Sequence, residues 1–173
     1  MADEKKIARP ASDEAADPFS EVRRGLQQRF GEDVAVTLAP GGDLVVTVGR
    51  ERLLAVCRYL KEEQGFDYPI LVTGVDRGDG LESVIHLGQM TSPRVIVLKT
   101  PVSYDDPQVP SVTSIWAGAD WHERESYDLM GIRYEGHPDL RRILLPEEWD
   151  EYPHPLRKEF KLDSPGGKFS ITE

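Results

Sequence analysis

The sequence is poor in cysteine, with Cys57 the only one among 173 residues. A disulfide needs two cysteines and a cysteine-ligated iron–sulfur cluster needs several, so neither can form within this chain. Cys57 shares helical spacing with Leu53, Val56 and Leu60. A cysteine in that pattern is typical of a buried core position, and we therefore expect a structural thiol and not a reactive one.

Basic charge and long apolar runs are also scarce. The chain has 21 Lys and Arg against 31 Asp and Glu, for a formal net charge of −10. Such a field repels phosphate backbones and anionic lipid headgroups, so nucleic acid is not an expected partner. Apolar runs such as residues 70–72 fall far short of the ~20 residues that cross a bilayer. Any membrane association is therefore expected to be indirect, through another subunit.

The first 18 residues contain charges, alanine and proline but no apolar core of a signal peptide. They predict a disordered N-terminal tail and a cytoplasmic location.

Residues 19–131 predict one α+β domain. Apolar periodicity and turn residues predict helices over 19–30 and 51–64, ended by Gly31 and Gly65, and strands over 34–38, 44–48, 70–75, 81–87 and 94–99. The order α-β-β-α-β-β-β favours a two-layer domain, with a mixed five-stranded sheet and its helices on one face.

A short helix is predicted after a proline-interrupted loop and a helical turn from Ser111. Asp120 and Glu123 have the spacing of a capping box for a helix that runs to Met130 and is closed by Gly131. Arg124 and Asp128 within it are spaced for an i, i+4 ion pair.

Residues 132–173 predict an extended C-terminal docking segment. Between 132 and 160 there is no sustained apolar period, and four prolines exclude a long helix. Charges of both signs and aromatics are dense there, a composition typical of a segment ordered by a protein partner. We expect it to be mobile in the free chain, and its removal to leave the α+β core folded.

Motifs for catalysis begin in this region but are incomplete. His122 and Glu123 open the HExxH pattern of zinc proteases, but position 126 is Ser. His137 and His154 each precede a proline, where hydrogen-bonding histidines are commoner than metal ligands. Ser126 lacks the turn and the third group that activate a serine nucleophile.

Other candidate sites have ordinary structural explanations. Glu123 and Glu125 are two apart on a helix and point in different directions, so they do not form an acid–base pair. The glycines of residues 74–80 lie between two strands and are turn residues, not a phosphate loop. Five aromatic residues are candidates for anchors in a partner interface, although about half of them are expected in the core. They are Trp116, Trp121, Tyr127, Tyr134 and Trp149. Two classes stay open on residues alone: a cofactor-free binding subunit, and a module or small enzyme with an unrecognised site.

Three strings carry a family resemblance: ERESYDLMGI at 123–132, YEGHPDLRRILLPE at 134–147 and PLRKEF at 155–160. They resemble the signature of the 30-kDa subunit family of respiratory complex I, whose bacterial members are the C subunits of NADH:quinone oxidoreductases. The likeness extends upstream through DDPQVPSVTSIWAGADW and covers about two thirds of the chain. Similar chains occur in plastoquinone-reducing and deazaflavin-dependent dehydrogenases and in membrane-bound nickel–iron hydrogenases, which are the alternative assignment.

The resemblance implies a peripheral-arm subunit of a proton-translocating NADH:quinone oxidoreductase, on the cytoplasmic side of the membrane. It implies no catalytic, metal or cofactor-binding residue in this chain, with FMN and iron–sulfur clusters held by partner subunits. The implied partners are the large quinone-site subunit and neighbouring iron–sulfur subunits, which this chain would brace during electron transfer. The predicted partner-binding residues are Glu123, Arg124, Glu125, Tyr127, Asp128, His137, Pro138, Arg141, Arg142, Pro155, Leu156, Arg157 and Lys158.

Overall fold

A computed structural model of the protein describes residues 17–149 and 154–161. Its helices and strands in chain order are α1 (Ser20–Phe30), β1 (Val34–Leu38), β2 (Leu44–Val48), α2 (Arg50–Glu62), β3 (Tyr68–Asp76), β4 (Leu81–Gln89), β5 (Ser92–Val102), β6 (Gln108–Pro110), α3 (Asp120–Met130) and β7 (Arg133–Glu135). Short 3₁₀ turns precede β1 and α3.

Strands β1 to β5 form one sheet in the order β1-β2-β5-β4-β3. The β2–β5 pair is parallel, and the other neighbours are antiparallel. A parallel pair needs a crossover connection, which the stretch containing α2, β3 and β4 provides. The predicted mixed five-stranded sheet and α+β class are confirmed.

The core lies between the helices and one face of this sheet. In β2, Leu44, Val46 and Val48 are buried while the intervening Val45 and Thr47 are partly exposed, the period of a strand covered on one side. The first two helices contribute Val22, Leu26, Leu53, Val56, Cys57 and Leu60 to the same core. The Cys57 thiol is fully buried, and burial raises its pKa. Its predicted core role is confirmed.

The strands β3 and β5 are longer than their apolar cores predict. The β4–β5 ladder continues past Lys99 and pairs Pro101 with Glu82. Proline is tolerated there because β2 pairs with β5 only as far as Lys99, so Pro101 interrupts no ladder bond on that side. The polar ends of these strands are stabilised by backbone pairing with the neighbouring strand, so the pattern of apolar residues in the sequence does not predict them.

Helix α3 packs against β3 at a glycine. A Cβ on Gly74 would lie 2.9 Å from both the Ile132 side chain and the Ser126 hydroxyl oxygen. The helix therefore approaches the strand more closely than any larger residue would permit. Gly131 ends α3 in the left-handed conformation, at φ 74°, and its N–H bonds to the Tyr127 carbonyl, as predicted.

The start of the predicted docking segment belongs to the domain, and the boundary at residue 132 is corrected. Ile132 has no exposed surface and Tyr134 is 3% exposed, both within the core. The strand β7 that carries Tyr134 pairs in parallel with β6. A pair of three-residue strands has too few residues to show a periodic pattern, and the pairing is between segments distant in sequence.

The chain ends also differ from prediction where they are described. Asp17 accepts the Phe19 N–H at 3.0 Å, and the Pro18 carbonyl accepts from Arg94 at 3.0 Å, so these two residues of the predicted tail contact the domain. The rest of that tail, 1–16, and residues 150–153 and 162–173 lie outside the described residues. Across the two described ranges, no helix has both the length and the apolar character to span a membrane.

Candidate functional site

Glu123 connects α3 to the loop before it and does not cap the helix. One carboxylate oxygen accepts the Val112 N–H at 2.8 Å and the other accepts from the Ser111 hydroxyl at 2.6 Å. The cap residue is Ala119, without a side-chain bond, so the predicted Asp120–Glu123 capping box is wrong. Burial raises the pKa of Glu123 to about 7, against the opposing effect of these hydrogen bonds.

Asp128 organises the loop after β7. Its Oδ2 accepts the backbone N–H groups of Ile143, Leu144 and Leu145 at 3.1, 2.8 and 2.8 Å. Three consecutive N–H groups on one carboxylate oxygen form an anion nest closed by the chain itself. Arg142 Nε lies 3.9 Å from Asp128 Oδ1, an ion-pair separation that is too long for a hydrogen bond.

Arg124 holds the same loop and does not pair with Asp128. Its Nε and Nη2 donate to the carbonyl oxygens of Arg141 and Arg142 at 3.2 and 3.3 Å. The predicted Arg124–Asp128 ion pair is therefore wrong. Guanidinium and carboxylate on one helix each bind the backbone of residues 141–145, because an extended loop has carbonyls and N–H groups that need partners.

The candidate catalytic residues have structural partners. Ser126 accepts the Tyr134 hydroxyl at 2.9 Å, and burial raises the pKa of Tyr134 to about 12. His137 Nε2 lies 3.2 Å from the Asp120 carbonyl oxygen, while its Nδ1 accepts the Asp139 N–H at 3.0 Å. Within the described parts of the chain, no three His, Cys, Asp or Glu side chains are grouped to hold a metal.

Residues 154–161 fold back onto the domain. The Leu156 N–H bonds to the Leu129 carbonyl at 3.1 Å, and the Lys158 N–H to Asp76 at 2.8 Å. Arg157 Nε donates to the Met130 carbonyl at 2.8 Å, beside the C-terminus of α3 where a cation is favoured. These contacts attach the PLRKEF string to the end of α3 and to β3.

The predicted partner-binding residues are divided by burial. Those exposed to solvent are Glu125, Pro138, Arg141, Leu156 and Lys158. Those partly exposed are Arg124, Tyr127, His137, Arg142, Pro155 and Arg157, although the His137 ring itself is covered. Glu123 and Asp128 are buried and bond to their own chain. We correct these two from contact residues to positioning residues, since a buried carboxylate reaches a partner only through its neighbours.

An exposed apolar patch lies beside these residues. Trp121 is 69% and Leu144 60% exposed, and with Ile143, His122 and Glu125 they line a shallow pocket of about 240 Å³. Trp116 and Tyr134, two of the predicted anchors, are instead core residues. Leu144 lies in the segment predicted to dock, but the sequence does not single it out as an anchor. It stands in an apolar run with Ile143 and Leu145, and which of the three is exposed depends on how Asp128 holds the loop.

The fold defines a small α+β protein. Its polar side chains on α3, such as Glu123, Ser126 and Asp128, form structural hydrogen bonds within the chain. Residues 46–166 match the family described as "Respiratory-chain NADH dehydrogenase, 30 Kd subunit". The chain belongs to that family.

Relatives by sequence include three bacterial proteins, each named as the C subunit of NADH-quinone oxidoreductase. The Moorella thermoacetica protein is 38% identical over 145 residues, which cover 83% of this chain and 90% of its own length. The Chloroherpeton thalassium protein is 38% identical over 151 residues, 84% of this chain and 62% of that protein. The Saccharopolyspora erythraea protein is 42% identical over 156 residues, which cover 83% of this chain and 62% of that protein. The chain thus spans about 62% of the length of several relatives it matches.

Two solved structures share the fold. The trypsin-resistant fragment 1–134 of Nqo5 superimposes with a TM-score of 0.60 at 29% identity, over 69% of this chain and 98% of the fragment. A chain of the membrane-bound sulfane sulfur reductase, an archaeal respiratory membrane complex, gives a TM-score of 0.71 at 22% identity. The superposition covers 82% of this chain and 85% of that chain. The second likeness concerns the fold alone.

Proposed function

We propose that this chain is a cofactor-free peripheral-arm subunit of a proton-translocating NADH:quinone oxidoreductase of the complex I type. It braces the quinone-site subunit and neighbouring iron–sulfur subunits on the cytoplasmic side of the membrane, and it is not catalytic alone. The relatives named as C subunits of NADH-quinone oxidoreductases support this assignment. The observation in the molecule that supports it most directly is that the buried carboxylates of Glu123 and Asp128 hold the loops around an exposed surface on α3.

The proposed interface combines the apolar patch with the exposed charges next to it. Trp121 and Leu144 supply large apolar area, the kind that anchors an interface centre. Glu125 and Arg141 supply exposed charges of opposite sign near the patch, which fix the register of a partner. The loop under Leu144 is held by Asp128 and Arg124, so the surface is ordered before the partner binds. Preorganisation of this kind lowers the entropic cost of assembly.

Electron carriers are assigned to other subunits on the basis of the sequence. The single cysteine, Cys57, is buried in the α2 face of the core, and a cysteine-ligated cluster needs several thiolates. The role left to the chain is to hold its neighbours at the separations that electron transfer requires.

Affinity purification from the native membrane tests the proposal. A chromosomally tagged chain is expected to copurify with flavin- and iron–sulfur-containing subunits after detergent solubilisation, and its deletion to abolish NADH:quinone reductase activity in the membranes. Purification of the tagged chain alone, with that activity intact in the deletion strain, would refute the assignment. Copurification with a hydrogenase or a dehydrogenase using another donor would select the alternative complex.

A further inference from the structure

A second candidate site lies on the side of α3 that faces β7 and residues 154–161. It is a cavity of about 310 Å³, and its wall includes Asp128, Arg133, Arg142 and Arg157. Three guanidinium groups against one carboxylate give the cavity a positive excess, although the whole chain carries a net charge of −10. An anion is thus attracted to this cavity and repelled from most of the remaining surface.

A fifth polar group in the cavity wall, His154, responds to the charge of the arginines. The pKa of His154 is lowered by burial and, in addition, by the positive charges of Arg157 and Arg142, against the hydrogen bond to the Asp128 carbonyl. Burial and the two arginines thus favour the neutral form of the imidazole, and the positive field of the cavity comes from the arginines.

Arg133 is the guanidinium available for a ligand. Its side chain makes no hydrogen bond or ion pair within the described residues, and it is exposed at the cavity rim. By contrast, Arg157 is bound to the Met130 carbonyl at 2.8 Å, and Arg142 donates to the carbonyls of Pro146 and Trp149. An arginine whose guanidinium N–H groups are not hydrogen-bonded is suited to bidentate binding of a carboxylate.

Asp128 is not a contact for such a ligand. Its side chain has no exposed surface, and its Oδ2 is occupied by three backbone N–H groups of the same chain. The exposed charge that a ligand meets at the cavity is therefore the Arg133 guanidinium. An acidic side chain of a protein partner has the carboxylate that matches it.

We propose that this cavity receives an acidic segment of another subunit of the complex, with its carboxylate on Arg133. The proposal rests on the proposed function, since it needs a partner subunit. It assigns to that partner an Asp or Glu side chain that enters beside α3, at a place distinct from the Trp121–Leu144 patch.

Zero-length carbodiimide cross-linking of the purified complex tests the assignment. The variant Arg133→Lys keeps the charge and introduces an amine that can form an amide with a carboxylate in contact. Peptide mass spectrometry is expected to find position 133 joined to an Asp or Glu of another subunit. Joining only to this chain's own acids, such as Asp128, Asp150 or Glu151, would overturn the proposal. So would the absence of any product at 133 while native lysines of the same complex react.

Charge reversal gives an independent measurement. Arg133→Glu is expected to lower recovery of the chain in the membrane complex by roughly tenfold or more, as the loss of a buried interfacial charge contact does. Its melting temperature in the free chain should match the wild type. The control Arg58→Glu, on exposed α2 surface outside the cavity, should stay within about twofold, the usual range for surface changes. Equal recovery of the two variants would overturn the proposal, even if the complex itself forms as proposed.

A small anion is the competing occupant. The melting temperature of the free chain is measured with and without inorganic phosphate at constant ionic strength. No stabilisation that depends on Arg133 is expected. A phosphate-dependent rise that disappears in Arg133→Ala would assign the cavity to a free anion and overturn the partner segment.

Discussion

The carboxylate of Glu123 accepts the backbone N–H of Val112 at 2.8 Å, across eleven residues of sequence. This bond, with the one from Ser111 at 2.6 Å, fixes the loop before α3 to the first turn of the helix. Because Glu123 has no exposed surface, water cannot replace it as a partner for these two donors.

Glu123→Ala is therefore expected to destabilise the free chain by about 2–4 kcal/mol, since it leaves the buried Val112 N–H unpaired, leaves the Ser111 hydroxyl with only its Thr113 partners, and opens a cavity. Chemical denaturation of the isolated chain measures this. Glu125→Ala, two residues along the same helix but exposed, should change the free energy of unfolding by no more than about 0.5 kcal/mol. Similar losses for both variants would show that helix α3 as a whole, and not the Glu123 contacts, is sensitive.

The pKa of Glu123 predicts a pH dependence of stability. The folded value of about 7 lies above the ordinary value of 4.5, so the folded chain binds more protons than the unfolded chain between these two pH values. The contribution of this group is complete below about pH 4.5 and is lost as the pH rises to about 7, with a slope of at most about 1.4 kcal/mol per pH unit. Glu123→Gln should remove this slope. An identical pH profile for both proteins would contradict the prediction.

Asp128 is expected to control the order of the loop that carries Leu144. Asp128→Ala removes the acceptor of three backbone N–H groups and should cost about 2–4 kcal/mol in stability. Hydrogen exchange at residues 143–145 should accelerate in the variant more than exchange in the sheet. Asp139→Ala, which removes an exposed ion pair with Arg141, is the matched control and should leave exchange at 143–145 unchanged.

The apolar patch predicts a separation of assembly from stability. Trp121→Ala and Leu144→Ala remove exposed side chains, so the melting temperature of the free chain should be close to wild type. Recovery in the membrane complex should fall because interface anchors commonly contribute about 2 kcal/mol or more. Met90→Ala removes a side chain that is 74% exposed and outside the patch, and should assemble normally. Normal assembly of both patch variants would place the interface elsewhere.

The sheet was predictable from the sequence because its signals are local. Leu44 and Val46 alternate with less buried residues, and the alternation is readable without knowing what packs on it. The role of Glu123 was not readable, because an acidic residue in the first turn of a helix can accept from several donors. Which donor it meets depends on where the tertiary fold brings Ser111 and Val112. The parallel β6–β7 pair was missed for the same reason.

The last prediction concerns the boundary between the domain and its C-terminal segment. A chain that ends at residue 131 lacks Ile132 and Tyr134, which are core residues. Burial of one large apolar side chain contributes about 1.5–3 kcal/mol, and a small domain has only about 5–15 kcal/mol in total. This truncation is therefore expected to unfold or to lose most of its stability, contrary to the expectation from sequence that the core survives it.

A chain that ends at residue 161 keeps the contacts of residues 154–161 and is the matched control. It should unfold like the full chain. In its free form, the amide hydrogens of Leu156 and Lys158 should exchange more slowly than unfolded chain, because they donate to the Leu129 carbonyl and to Asp76. Exchange of both at the unfolded rate, with protection only in the membrane complex, would show that this part of the segment is ordered by docking after all.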